Sequence, residues 1–525
     1  MRSTGTILAS LALTLSLATV ARAASVTGTV QGPDGKPFMG AFVVASNPKM
    51  KMSVNVLSDA QGHYHVNNLP AASYDVSIRA IGYKSDPHSN VVLTGDQKAA
   101  FDFALQTAPV AWSDLTTYQG RQLLPHTAEH DLSHKDPFFA TCWQSCHSFQ
   151  NKMATQTLDK DGWRQRIQYM RDVMGVRITD QKADDFAAFI ALMFGPDSPK
   201  PASADLMPQY RSLVRAFSPD AMNIAYVEYD FPADNGIGPW SAAEDKDGMM
   251  WIPYYGRGDA VVRLDPDTGE TKTFSLPIAT VADGVHSAFP GPDGNIWFSE
   301  FAKGRIGSLD PQTGKITEFQ DTPLPDGKKT TAHTVRMDAS GRVWATGGPA
   351  ITELDPKTNA FKHFDVAGTY GVVVAPNGDI WFTSFVLDGP IARVTKDGVL
   401  SKFYPPTKGK PQRLVLDKDG NVWFSERQGN KIGRLDPKTE TFTEFPLPGP
   451  EGSPYAIGID GDGMIWTSSH EQDTMDRLDP KTGKVTEYPF PQSEISMREF
   501  FNDSKGRMWF ASSVNNKVGY FYYNN

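Results

Sequence analysis

Cysteine is nearly absent from this 525-residue chain: only two occur, Cys142 and Cys146, four residues apart. A disulfide-stapled scaffold is therefore excluded, and burial of apolar surface must hold the fold. Long apolar runs are missing too once the first two dozen residues are passed. Nothing later approaches the ~20 residues a membrane helix needs, so no membrane span is expected. Basic charge is in deficit, with 51 Lys and Arg against 60 Asp and Glu, for a net charge of −9. That balance argues against nucleic acid or an anionic membrane as partner.

The start of the chain is different. Arg2, the apolar stretch 7–20 and Ala21-Arg22-Ala23 read together as a secretory signal peptide over residues 1–23, with a signal anchor as the alternative. Its removal takes away two positive charges, Arg2 and Arg22, so −9 becomes −11. The expected location is the periplasm. A mature chain of about 500 residues is too long for one core and should divide into several domains.

Residues 24–107 alternate apolar and polar side chains, as in Val26-Thr-Gly-Thr-Val30 and Tyr74-Asp-Val-Ser-Ile78. Turn clusters such as Pro33-Asp-Gly-Lys-Pro37 and Asp59-Ala-Gln-Gly62 separate them. Period-two runs bounded by Gly, Pro and Asp predict the short strands of a small sandwich. Residues 112–205 change period. Thr179 can cap a helix from Asp180 to Phe194 with Phe186, Phe189, Ile190 and Met193 on one face, and Gly195-Pro196 ends it. Trp163, Ile167, Met170 and Met174 mark a second helical stripe. A small all-α domain holding both cysteines is predicted, followed by a linker over 199–219.

From residue 220 to 525 one phrase recurs. Its fullest copies are Gly291-Pro-Asp-Gly-Asn-Ile-Trp-Phe-Ser-Glu300 and Asp417-Lys-Asp-Gly-Asn-Val-Trp-Phe-Ser-Glu426. The tryptophan stands at 251, 297, 344, 381, 423, 466 and 509, a spacing of 37 to 47 residues. A period near 40–45 with four strand-like runs per unit is that of a β-propeller blade, and seven tryptophans predict seven blades. Each tryptophan should fill the gap between neighbouring blades. The last blade ends without the closing phrase found in Phe442-Thr-Glu-Phe-Pro446. A matching phrase, Tyr226-Val-Glu-Tyr-Asp-Phe-Pro232, precedes the first blade and should supply the missing outer strand. The predicted fold class is mainly β: a sandwich, a small helical domain and a seven-bladed propeller.

Three resemblances attach to these segments. The order "GTV-DG-P-A-V", "D-QG-Y-V-NLP", "Y-V-I-A-GY" within 24–107 resembles the carboxypeptidase regulatory-like (transthyretin-like) domain, an accessory fold without catalytic residues. The repeat "DGxxWFTE…IGR…G" over 220–525 resembles the streptogramin-lyase (virginiamycin B lyase-like) propellers. Gly162-Trp163, Met170, Gly175 and Phe194-Gly-Pro-Asp197 resemble the cytochrome c domains of quinohaem and quinoprotein dehydrogenases.

Cys142-Trp-Gln-Ser-Cys146-His147 is a CxxxCH sequence, one residue longer than the C-x-x-C-H that tethers c-type haem. On this reading Cys142 and Cys146 carry one covalent haem c and His147 is the proximal ligand. The resemblance puts the distal ligand at Met170, with Met174 one turn on as the other candidate. A Cys142–Cys146 disulfide is the alternative. His126, His130 and His134, spaced by four, are expected as surface residues on a frayed helix, or as a bis-His set.

Aligning the blades on their tryptophans places Trp240, His286, His333, Tyr370, Gln412, Tyr455 and Arg498 eleven residues earlier. Three residues later come Tyr254, Glu300, Gly347, Ser384, Glu426, Ser469 and Ser512. Equivalent positions in a closed ring form a circle, so both sets are expected at the central channel or its mouth. His286, His333, Glu300, Glu426 and Arg498 are the candidate catalytic or binding residues. The lyase resemblance implies mouth histidines with a Mg²⁺-binding carboxylate that break a C–O bond by elimination. In this chain Gly347 stands where the carboxylate of the His333 blade would be.

The leading expectation is a periplasmic haem protein with a substrate-binding propeller, an electron-transfer protein or oxidoreductase. It would serve a small-molecule or polymer substrate at the mouth and an electron-transfer partner in the periplasm. The alternatives are a metal-assisted C–O lyase and a non-catalytic module that binds a polymer or partner protein.

Overall fold

The computed structural model describes residues 23–143, 147–172, 176, 178–232, 238–255, 259–276 and 284–524. The leader up to residue 22, Cys146 and Met174 lie outside them.

Seven sheets stand in sequence order around a central channel. Blades 2 to 6 are four-stranded antiparallel sheets that begin with inner strands Val285–Pro290, Val335–Met337, Thr369–Val374, Pro411–Leu416 and Pro454–Ile459. Blade 1 is built on Met250–Tyr255 and blade 7 on Met508–Ser512. Ile224–Asp230 is the outer strand of blade 7, paired antiparallel with Lys517–Tyr523. The ring therefore closes by joining chain segments nearly 300 residues apart in sequence.

That closing strand has a second partner. Its other edge pairs with Met52–Leu57 of the N-terminal domain, Ala225 opposite Val56. Blade 7 thus runs on without a break through Phe42–Asn47, Ala72–Arg79 and His88–Leu93 as one eight-stranded sheet. The second sheet of the sandwich packs Val26 and Val66 against Val54 and Val76, in one core with Val227, Tyr229 and Trp509 of the propeller. Pairing a blade edge with a sandwich edge leaves neither open to aggregation.

The repeated phrase has a packing cause. Each tryptophan packs against the blade that follows it: Trp423 lies with Ile457, Ile465 and Leu478, and Trp509 with Ala242 and Ile252 of blade 1. The aspartate of the preceding turn accepts the indole N–H, as in Trp423 Nε1 to Asp417 Oδ2 at 2.9 Å and Trp466 Nε1 to Asp460 Oδ2 at 2.8 Å. Blade 2 has Gly291 and blade 4 has Ala375 at that position, and in blade 2 Asp293 accepts at 3.2 Å instead. The glycine of the "IG" pair admits the phenylalanine before it. A Cβ on Gly433 would lie 2.2 Å from the Phe424 ring.

The helical unit has three main helices: α1 (Thr117–Leu123), α2 (Lys160–Asp172) and α3 (Asp180–Phe194). Thr116 and Gln119 form a capping box on α1, and the Thr179 side chain caps α3. Phe138, Phe139, Trp143, Phe149, Phe186 and Phe194 fill its core with Trp163 and Ile167 of α2. Met170 continues that stripe in sequence but is only half-buried and lies outside the packed cluster. The histidine run departs from expectation, for residues 124–136 form loop rather than helix. His130 is buried, 3.0 Å from both Asp136 and Asp185 and stacked on Phe189 at 4.6 Å. Two carboxylates and an aromatic face fix it as a core residue.

Candidate functional site at the propeller mouth

The seven residues that precede the tryptophans by eleven lie at the head of the inner strands, and four of them pack ring against ring in blade order. Ring centroids are 4.1 Å apart from Trp240 to His286, 3.9 Å from His286 to His333 and 4.0 Å from His333 to Tyr370. Tyr370 and Tyr455 share a hydroxyl–hydroxyl hydrogen bond. Arg498 donates to the Tyr455 hydroxyl at 3.3 Å, and its guanidinium lies 3.7 Å from the Trp240 ring centroid, closing the circle. Gln412, fully buried, completes the set with both amide atoms unpartnered.

Burial and cations set the charge states. Burial pushes His286 well below the usual imidazole range, and His333, Arg498 and Arg413 add to the shift. Burial does the same to His333, with Arg413 and Arg498 contributing. Both imidazoles are therefore neutral at neutral pH. Burial opposes ionisation of the Tyr455 hydroxyl, yet Arg498, Arg413 and Arg427 together hold it below the usual phenol value. Burial raises Tyr370.

The second aligned set does not join this circle. Glu300 pairs with Arg305, which reaches on to Glu318 in the outer strand of its blade. The Glu426 carboxylate lies against Gly409 and Gly429, and burial, then Glu444 of the outer strand, raises it to about 8. In five blades the position three after the tryptophan is the last residue of its strand and is buried in the blade, Glu300 and Glu426 among them. The next residue faces the mouth. Tyr255, Phe301, Phe385, Arg427 and His470 occupy that column. Phe301 lies 5.7 Å from His286, Phe385 5.0 Å from Tyr370 and His470 4.9 Å from Tyr455, while the Arg427 guanidinium is 5.1 Å from the Tyr455 ring. The same alignment shifted by one residue identifies this column in the sequence.

The helical unit covers the mouth. Trp143 and His147 from above, and Arg427, His470 and Arg498 from below, enclose a cavity of about 30 Å³. That is room for little more than one water. The cap is held at its edge. Backbone N–H groups of Ser148 and Asn151 donate to Glu494 at 2.6 and 2.9 Å, and Arg121 pairs with Glu451 and Glu471.

Two cofactors were expected here. His147 Nδ1 lies 2.8 Å from the Ser148 carbonyl oxygen, so it carries the proton and leaves Nε2 as the ligating nitrogen. Cys142 is half-buried beside that turn. These donors suit a haem iron. The 30 Å³ beside His147 does not admit a porphyrin in this arrangement. Mg²⁺ does not fit the mouth: Gly347 supplies no carboxylate, Glu300 is engaged by Arg305, and Glu426 lies off the ring. Among the described residues, three metal-type ligands come within reach only at His134, Glu451 and Glu471. Arg121 already occupies both of those carboxylates.

Fold and site together define a seven-bladed propeller with a histidine- and arginine-lined mouth, joined to a sandwich and capped by helices. Residues 359–524 match the virginiamycin B lyase family, and residues 25–106 match the carboxypeptidase regulatory-like domain. The virginiamycin B lyase of Nocardia farcinica (strain IFM 10152) is 28% identical over 214 residues, 40% of this chain and 70% of that protein. A streptogramin B lyase structure superimposes with a TM-score of 0.52 at 25% identity, covering 58% of this chain and 99% of that one. Virginiamycin B lyase from Staphylococcus aureus, solved with quinupristin as a catalytically inactive histidine-to-alanine variant, has a TM-score of 0.51 at 23% identity. It covers 57% of this chain and 99% of its own. The chain therefore carries a virginiamycin B lyase-like propeller and a carboxypeptidase regulatory-like domain.

Proposed function

We propose that the propeller mouth is a proton-transfer site for C–O elimination on a small organic substrate, capped by the helical unit. The observation that carries this reading is the His286–His333 pair. Both imidazoles are buried and neutral, and His286 Nδ1 and His333 Nε2 each lack a hydrogen-bond partner. A neutral imidazole is a base. In the step, it takes a proton from carbon next to a carbonyl, and the C–H electron pair becomes a C=C bond. The C–O bond breaks and its electron pair leaves with the oxygen, which takes a proton from the Tyr455 hydroxyl. Arg498 offers positive charge to the carbonyl oxygen as negative charge gathers there. No water is consumed. Names of the relatives support the class of reaction: one is a virginiamycin B lyase, and the Staphylococcus aureus lyase is inactive after a histidine-to-alanine change. The signal peptide over 1–23 supports a periplasmic setting.

The test is incubation of the mature protein with quinupristin, with products weighed by mass spectrometry. Elimination leaves the total product mass equal to that of the substrate, whereas hydrolysis adds one water. His286→Ala with His333→Ala should abolish turnover while thermal unfolding stays unchanged. Products carrying added water, or full turnover by the double variant, would refute the reading.

A second reading keeps covalent haem on Cys142 and Cys146 with His147 as ligand, and electron transfer as the role. The observation favouring it is the His147 tautomer fixed by the Ser148 carbonyl. Intact mass of protein made with cytochrome c maturation factors decides it: a gain of one haem supports this reading, and the bare polypeptide mass removes it.

A further inference from the structure

The channel has a second end, away from the cap. There the inner strands of blades 2 to 7 surround an open cavity of about 590 Å³, within the ~300–1,000 Å³ typical of small-molecule sites. We propose that this cavity is a separate binding site for an organic monoanion with an apolar body, an alkyl or aryl carboxylate.

Its walls are apolar. Val374, Leu416 and Ile459 line it from blades 4, 5 and 6, and Phe289 and Phe501 from blades 2 and 7. Its inner end is charged. Glu499 Oε1 accepts from Arg336 Nη2 at 2.9 Å and from Arg413 Nη1 at 2.7 Å. One carboxylate facing two guanidiniums leaves one positive charge unbalanced, in a place where Arg413 is 4% exposed. Asp417, at the wall, is held by Trp423 Nε1 and the Asn421 amide, and the neighbouring Lys418 offsets its charge.

Two further observations point to a ligand. Arg413 Nε is buried without a hydrogen-bond partner. Arg336 is held between aromatic faces, its guanidinium 4.8 Å from the Phe289 centroid and 5.1 Å from that of Phe501. Against burial, Glu499, Tyr455 and Tyr370 hold Arg413 above its usual range, whereas burial, with Arg413 adding to it, pushes Arg336 below its own, so the cation short of counter-charge is Arg336. An uncompensated buried charge is costly, and a carboxylate on a guanidinium is among the strongest pairings that relieve it. The mouth lies on the other side of this charged layer. Tyr370 and Tyr455 have their rings 5.1 and 6.0 Å from the Arg413 guanidinium.

The experiment is calorimetric titration of the full mature protein with octanoate and, separately, with neutral octanamide. Octanoate should bind more tightly. Arg336→Gln should weaken octanoate about tenfold or more, the effect of losing one charge-assisted contact, and leave octanamide unchanged. Ile459→Trp, which fills the cavity from its wall, should remove binding of both. His286→Ala with His333→Ala should leave octanoate binding intact, which separates this site from the mouth. No octanoate binding at millimolar concentration would overturn the proposal. So would equal affinity in Arg336→Gln, or binding retained in Ile459→Trp.

Discussion

Replacing Glu494 by glutamine should uncouple cap docking from pH. Glu494 is 3% exposed, and its two carboxylate oxygens accept the Ser148 and Asn151 amides of the helical unit. Burial, reinforced by Asp473, raises its pKa from 4.5 to about 7 despite those two hydrogen bonds. The docked form therefore holds its proton more tightly than the undocked one. The contribution of this group to docking is complete below about pH 4.5 and is lost as pH rises through 7. A shift of that size corresponds to roughly 3 kcal/mol. Glutamine carries no titrating proton. Below pH 4.5 the variant should dock more weakly than the wild type by the ~1–3 kcal/mol of one amide N–H left facing the glutamine NH2. By pH 8 it should have gained roughly 3 kcal/mol relative to the wild type. Hydrogen exchange at the amides of Ser148 and Asn151, corrected for intrinsic rates, reports the opening free energy directly. If the opening free energies of the two proteins run parallel from pH 4.5 to 8, the buried-carboxylate argument is wrong.

Trp423→Ala should cost ~3–5 kcal/mol by opening a cavity between blades 5 and 6, read as a lower denaturant midpoint for the propeller. Asp417→Ala, which strips the acceptor from the Trp423 indole, should cost ~1–3 kcal/mol, and an unchanged midpoint would mean that water replaces it. Because His286 and His333 are pushed well below the ordinary imidazole pKa, turnover at the mouth should stay level from pH 8 to below 6. A fall in rate with a midpoint near 6.5 would show that the base has an ordinary pKa. Glu451→Gln with Glu471→Gln should loosen the cap around Arg121, seen as faster exchange in α1.

The architecture was legible wherever the chain repeats itself. Seven tryptophans at blade spacing, five of them with a turn aspartate six residues earlier, are local patterns whose physical cause lies within one blade or between two neighbours. The closing strand at 226–232 could be read as well, because its phrase matches the outer strands elsewhere. The ring of His286, His333, Tyr370, Tyr455 and Arg498 followed from repeat register alone. The second column was placed one residue early. Glu300 and Glu426 attract notice as charged residues, but they end their strands inside the blade, and the residues just past the strand ends, Phe301, Phe385, Arg427 and His470, face the mouth.

Other features depend on contacts between segments that share no pattern. Pairing of Ala225 with Val56 joins two domains through backbone hydrogen bonds, and backbone groups carry no sequence signature. Burial of His130 between Asp136 and Asp185 depends on how a loop folds onto α3. Placement of His147 against Arg427, His470 and Arg498 depends on docking of the helical unit over the mouth. The excess charge formed by Arg336 and Arg413 around Glu499 needs three blades to converge. Repetition along the chain is enough to set the blades, because each blade is stabilised by its neighbours in sequence. What the blades and their attachments enclose is set by residues far apart in the chain, and only the folded molecule brings them within a few ångströms.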